Sequence, residues 1–215
     1  MKPLNAFRSS LFVLIVLHAV GAIGILAGFA PLLLPLSAVN LLIAAAILVG
    51  LSRNQWSAWW LLAPLGGFIA EVAGVQTGLL FGAYSYGSSL GPCIGGVPLM
   101  LGPLWLMMLW GSWSLIHRLK LQAKPKLPNI LLSAAIMTAL DGLIEPVAIR
   151  AGWWTWHNEM GTVPWTNYAS WFGVAALLLS FAPAPKRDEG TSIASALFLI
   201  FTVFFTLLNL FPWTP

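Results

Sequence analysis

The sequence predicts an all-α, polytopic bundle of membrane-spanning helices, and two observations carry that expectation. Of 215 residues, 59% are hydrophobic and only 7% charged, where a water-soluble domain holds roughly 25% charged residues. The apolar residues also fall into runs of about 20, the length that crosses a bilayer as helix. Spans are expected near residues 7–29, 36–52, 57–74, 97–117, 129–150, 165–182 and 191–211. Together they fill the chain as a single integral membrane domain over 1–215, a multi-pass protein of the cell (inner) membrane.

Taken in order, the first span has a basic start but is too long for the core of a signal peptide and lacks a convincing cleavage site. Its Gly21, Gly24 and Gly28 suit close packing on a neighbouring helix, as does Ala44-Ala45-Ala46 in the second. His18 reads as a hydrogen-bonded structural residue on an apolar helix. With seven spans and the N-terminus inside, nine of the ten Lys and Arg residues lie on the cytoplasmic side and only Arg150 outside, as the positive-inside rule requires. That placement also explains the net charge of +4 without nucleic acid as a partner. The single cysteine, Cys93, excludes an internal disulfide and a cysteine-based metal or redox centre.

Four acids lie away from the charged connector that holds Asp188 and Glu189. Asp141 and Glu145 in the fifth span share one helix face, about 6 Å apart along the axis. Pro146 cannot donate to the carbonyl of Gly142, which frees a backbone acceptor between them. Counting along the helices puts Asp141 about 18 Å, Glu71 about 21 Å and Glu145 about 24 Å from the inner ends of their spans. Three acids from two helices are therefore expected at one depth, toward the outer side. The fourth, Glu159, belongs to an outer loop with His157 and Asn158 and reads as surface. Arg150 is near enough in sequence to neutralise Glu145 or Glu71, but one cation cannot balance three acids. A carboxylic acid held neutral in an apolar site is a proton donor. Acids four apart can also hold magnesium through water, yet no histidine is within reach and no recognisable motif is completed, so no metal is expected.

Two loops, 74–98 and 151–164, combine glycine with aromatics. Their offsets match: Glu71 to Gly78 and Glu145 to Gly152 are both seven residues, as are Pro98 to Trp105 and Pro164 to Trp171. The spacing reads either as a duplicated module of helix, aromatic loop and helix or as coincidence.

The ordered motifs Glu71-Val-Ala-Gly-Val-Gln-Thr-Gly78, Phe81-Gly-Ala-Tyr84-Ser-Tyr86-Gly87, Gly96-Val-Pro98, Asp141-x-x-x-Glu145-Pro146 and Gly152-Trp153-Trp154-x-Trp156 resemble a known family. They are similar to the membrane carotenoid biosynthesis proteins that include CruF-type carotenoid 1′,2′-hydratases and bisanhydrobacterioruberin hydratases, across about residues 60–175. The resemblance implies a cofactor-independent hydro-lyase that adds water to the terminal double bond of an acyclic carotenoid end group, giving a tertiary alcohol. It also implies a carotenoid substrate, membrane lipid as surroundings and association with other enzymes of the same pathway.

Residue chemistry fills in roles beside that resemblance. Asp141 and Glu145 can share one proton, one serving as acid and the other as a negative charge beside the cation, while Glu71 accepts the proton that the attacking water loses. Tyr84, Tyr86, Trp153, Trp154 and Trp156 offer ring faces to a carbocation, or anchor the outer interface. Asn167 either orients a water or satisfies backbone. Two other readings stay open: a cyclase that starts with the same protonation, and a small transporter or proton-coupled membrane protein, for which buried acids are equally natural. A retinal protein is excluded, because every lysine lies in an inner loop or the N-terminal tail.

Overall fold

The computed structural model describes residues 4–158 and 161–215. Glu159, expected at the surface, lies outside the described residues.

The chain is mostly helical. Helix α1 (Leu4–Gly24) runs through a π-helical turn (Ile25–Phe29), the short α2 (Ala30–Leu33) and a 3-10 turn (Leu34–Leu36) into α3 (Ser37–Leu51). A loop was expected around Pro31 and Pro35, yet both prolines sit in first turns, where no amide donor is needed. The helical path breaks instead at Gly28 (φ 90°, ψ 10°), and α1 folds back to pack on α3. Next come α4 (Trp59–Thr77), β1 (Tyr84–Tyr86), β2 (Cys93–Ile94), β3 (Val97–Pro98) and α5 (Leu101–Arg118). The chain closes with α6 (Leu127–Arg150), β4 (Trp154–Trp156), α7 (Trp165–Ser180) and α8 (Glu189–Leu210).

Helix α5 is the centre of the bundle. Almost every residue from Leu101 to Ile116 is buried, and α3, α4, α6 and α8 pack around it. A helix apolar on all sides has to be surrounded. The outer helices show the opposite: Phe12, Leu32, Leu61, Leu177 and Val203 are large, apolar and exposed. Such a belt is costly in water and expected against lipid. Among the described residues, three stretches are long and apolar enough to cross a membrane, Ala6–Leu51, Leu127–Arg150 and Glu189–Leu210. The other expected spans coincide with helices α4, α5 and α7, of 19, 18 and 16 residues, which are not among those three.

The all-α expectation needs one correction, because the two aromatic loops contain strands. β1 and β4 pair antiparallel, with Tyr84 opposite Trp156, Ser85 opposite Thr155 and Tyr86 opposite Trp154. β2 and β3 form a second short pair. Tyr-Ser-Tyr and Trp-Thr-Trp both alternate with the period of a strand, so the aromatic rings turn inward while Ser85 and Thr155 stay exposed.

At the opposite end, basic residues tie the loops together. Lys186 Nζ donates to Asn54 O at 2.8 Å, Lys126 Nζ donates to the carbonyls of Ser180 and Ala182 at 2.8 Å each, and Arg118 donates to Ser192 Oγ at 2.6 Å. The side chain of Asp188 caps α8 by accepting from the amide of Thr191 at 3.0 Å.

Candidate active site

Helix α6 continues unbroken through Pro146, and its spacing puts Asp141 and Glu145 on one buried face, 1% and 2% exposed. Glu71 reaches the same place from α4 and is also 2% exposed. All three carboxylates line a single cavity of about 20 Å³, room for about one water molecule. The common depth counted along the helices is therefore where the acids meet.

Each acid is held by a different set of donors. Glu71 Oε2 accepts from the hydroxyls of Tyr84 (2.5 Å) and Tyr86 (2.8 Å), and its Oε1 accepts from the indole of Trp105 (3.0 Å). Glu145 Oε2 accepts from the indoles of Trp154 (2.8 Å) and Trp156 (3.1 Å), and its Oε1 from Asn167 Nδ2 (3.0 Å). Asn167 Nδ2 also donates to Asp141 Oδ2 at 2.9 Å. Among the described residues Asp141 has that donor alone, where each glutamate has three. Charge-assisted bonds of this kind stabilise a carboxylate, so the negative charge is best supported on Glu71 and Glu145. Burial and the Glu71 carboxylate push the phenols of Tyr84 and Tyr86 upward, so both remain protonated donors.

Among the described residues, no lysine or arginine lines the cavity. Arg150, expected as a possible counter-ion, turns to α8 instead: its guanidinium donates to Leu208 O at 3.4 Å and lies 5.1 Å from the Trp213 ring centre. Nor do the three acids converge as a metal-binding group among the described residues; tyrosine, tryptophan and asparagine donors face their oxygens.

The seven-residue offsets have a spatial counterpart. Gly78 and Gly152 both take left-handed conformations, φ 67° and 66°, which glycine adopts at little cost where a helix must stop. Trp105 and Trp171 stack on each other, ring centres 4.3 Å apart and planes 11° off parallel. α4 packs on α5 and α6 on α7, while α4 also meets α7 and α5 meets α6. An antiparallel pair of strands joins β1 to β4. The matching elements thus pack in matching pairs, and Glu71 and Glu145 line the same cavity.

Of the aromatics expected at the site, Tyr84, Tyr86, Trp154 and Trp156 line the acid cavity, as does Asn167. Trp153 does not join them. It packs edge-on against Phe205, ring centres 6.2 Å apart, and lines a neighbouring apolar cavity that Trp154 also borders. Trp105 and Trp171 were missing from the expected set, although the matching Pro98 and Pro164 offsets point to both. His18 is hydrogen-bonded within its helix, Nδ1 donating to Leu14 O at 2.8 Å. His157 is exposed, 2.8 Å from Ser85 Oγ, and Cys93 is exposed with a free thiol.

The chain has relatives among known proteins. A family described as "Carotenoid biosynthesis protein" matches residues 51–214, which include every residue of the cavity. The chain is 32% identical over 117 residues to a protein named bisanhydrobacterioruberin hydratase from Haloarcula japonica. That match covers 52% of this chain and 40% of the relative, so the chain spans less than half of that protein's length. No solved structure matches the chain. The chain belongs to the carotenoid biosynthesis protein family.

Proposed function

We propose that the protein is a membrane-embedded hydratase that adds water across the terminal C1′,2′ double bond of an acyclic carotenoid end group. One observation carries this reading: three buried carboxylates surround a cavity with room for about one water. An apolar cavity adjoins it, with Leu104, Ile144 and Trp154 lining both. The relative's name points to the same class of reaction. In the membrane the chain forms seven spans with the N-terminus cytoplasmic, which sets the acid cavity toward the outer side and the basic loops inside.

Hydration of a trisubstituted alkene begins with proton transfer to its less substituted carbon. Asp141, with a single donor, carries that proton. Transfer leaves a tertiary cation and an aspartate anion. Glu145, one turn away and linked to Asp141 through Asn167, supplies negative charge that stabilises the cation. The rings of Trp154, Trp156, Tyr84 and Tyr86 add cation-π attraction, up to about 2 kcal/mol in a dry site. The water oxygen then bonds to the cationic carbon and loses a proton to Glu71. Return of that proton to Asp141 through the next water restores the site, and the net change is alkene plus water to tertiary alcohol. General acid–base help of this kind contributes about 10²- to 10⁴-fold.

The test is expression in a host that accumulates an acyclic carotenoid, followed by separation and mass analysis of the pigments. The hydratase reading expects a more polar pigment heavier by one water. A ring product of unchanged mass would assign the protein as a cyclase, and an unchanged pigment profile would remove the enzymatic reading.

A further inference from the structure

The acid cavity has room for about one water, so a long substrate needs further space beside it. Two further cavities supply it. The first is the apolar cavity of about 70 Å³ that shares Leu104, Ile144 and Trp154 with the acid cavity. The second is a groove of about 320 Å³ on the outside of the bundle, between α1 and α8. Ile15, Ala19 and Ala22 form one bank and Leu199, Val203 and Leu207 the other. His18 and Phe204 line both the groove and the inner cavity. The three spaces therefore lie in series, each sharing a wall with the next.

Polarity grades along the same line. The groove is apolar except at His18 and opens between lipid-facing helices, where Ala19, Leu199 and Val203 are exposed. The inner cavity is apolar with a few polar groups, among them His18, Asn40 and the indole of Trp153. The last space holds the three acids. An occupant matching this profile is long, thin and apolar and carries its reactive atoms at its tip. Along α1 the groove extends from Ile15 to Ala22, about 10 Å of helix, which is more than an end group alone would fill.

We propose that the groove between α1 and α8 seats the linear polyene chain of the substrate and feeds its end past His18 and Phe204 to the acids. The identity of the reacting end rests on the hydratase reading; the seat itself rests on the continuity of the three spaces. The passage is narrow and set by side chains. The His18 ring lies 5.4 Å from Phe201 and 5.7 Å from Phe204, centre to centre. Phe204 in turn covers Gly21, where a Cβ would meet its ring edge at 3.4 Å. The small residues of α1 thus leave space that larger ones would close.

Two substitutions fill the groove from opposite banks without entering the core, Ala19→Trp on α1 and Val203→Trp on α8. Leu61→Trp, on the exposed face of α4, is the control of equal bulk. Binding is read in lipid nanodiscs, by tryptophan quenching and polyene absorption, using an acyclic polyene whose terminal double bonds have been hydrogenated. That probe cannot be hydrated, so seating is measured apart from chemistry. The wild type and Leu61→Trp are expected to bind alike, and each groove variant about tenfold or more weakly. Unchanged binding in both groove variants, absence of binding by the wild type, or equal competition by a saturated hydrocarbon would each overturn the seat. Polyene binding lost only in the groove variants, with no alcohol formed by the wild type from an unmodified polyene, would uphold the seat and refute the hydratase.

Discussion

Glu71 and Glu145 occupy equivalent places in two similar halves of the site, and each receives three hydrogen bonds, but the halves differ four residues earlier on both helices. In the α6–α7 half those positions are Asp141, before Glu145, and Asn167, before Trp171. In the α4–α5 half they are Gly67, before Glu71, and Leu101, before Trp105. A side chain at Gly67 has nowhere to go, because a Cβ there would lie 2.2 Å from Trp105. Trp105 uses that space to donate to Glu71, whereas on the other side Asn167 donates to both acids. The lesson is chemical. One half holds a single carboxylate locked by aromatic donors, and the other holds a pair of acids joined by one amide.

Substitutions that erase or exaggerate this difference test it. The largest effect is expected for Asp141→Asn, which keeps the shape and removes the proton: hydration in membranes should fall roughly 10²- to 10⁴-fold with the folded yield unchanged. Activity near the wild-type level would move the acid to the other half. Glu71→Gln should cost about 10²-fold as loss of the proton acceptor, measured as initial rate of alcohol formation in the same membranes. A smaller loss is expected from Asn167→Leu, which gives the second half the residue of the first. Removing the shared donor should lower the rate about tenfold, the scale of a hydrogen bond to a charged group. Gly67→Ala probes packing, and overfilling against Trp105 should lower stability by about 1–3 kcal/mol, read from thermal aggregation in detergent. His157→Ala, on the exposed rim, should change activity by less than about twofold.

Much of this site is legible in the sequence, and particular residues show where legibility stops. Asp141 and Glu145 share a face because helical periodicity is local, and Glu71 joins them because depth can be counted from the helix end. The Tyr-x-Tyr and Trp-x-Trp segments carry a strand period as well, though both were expected as loops. Which aromatic would serve which acid is not local information. Trp105 reaches Glu71 across 34 positions, and Asn167 reaches Asp141 across 26. These pairings depend on how α4 to α7 pack, which periodicity does not specify. Trp153 shows the same limit: one step along the chain from Trp154, it lines the apolar cavity but not the acid cavity, whereas Trp154 lines both.

The most direct test of the account is isotopic. Membranes holding the wild-type protein and an acyclic carotenoid, incubated in ¹⁸O-labelled heavy water, should give a terminal alcohol with ¹⁸O on the tertiary carbon and deuterium on its neighbour. With Asp141→Asn both labels should be lost together. Deuterium in a ring product without ¹⁸O, or full double labelling with Asp141→Asn, would contradict the claim that Asp141 protonates the alkene and that the water of this cavity captures the cation.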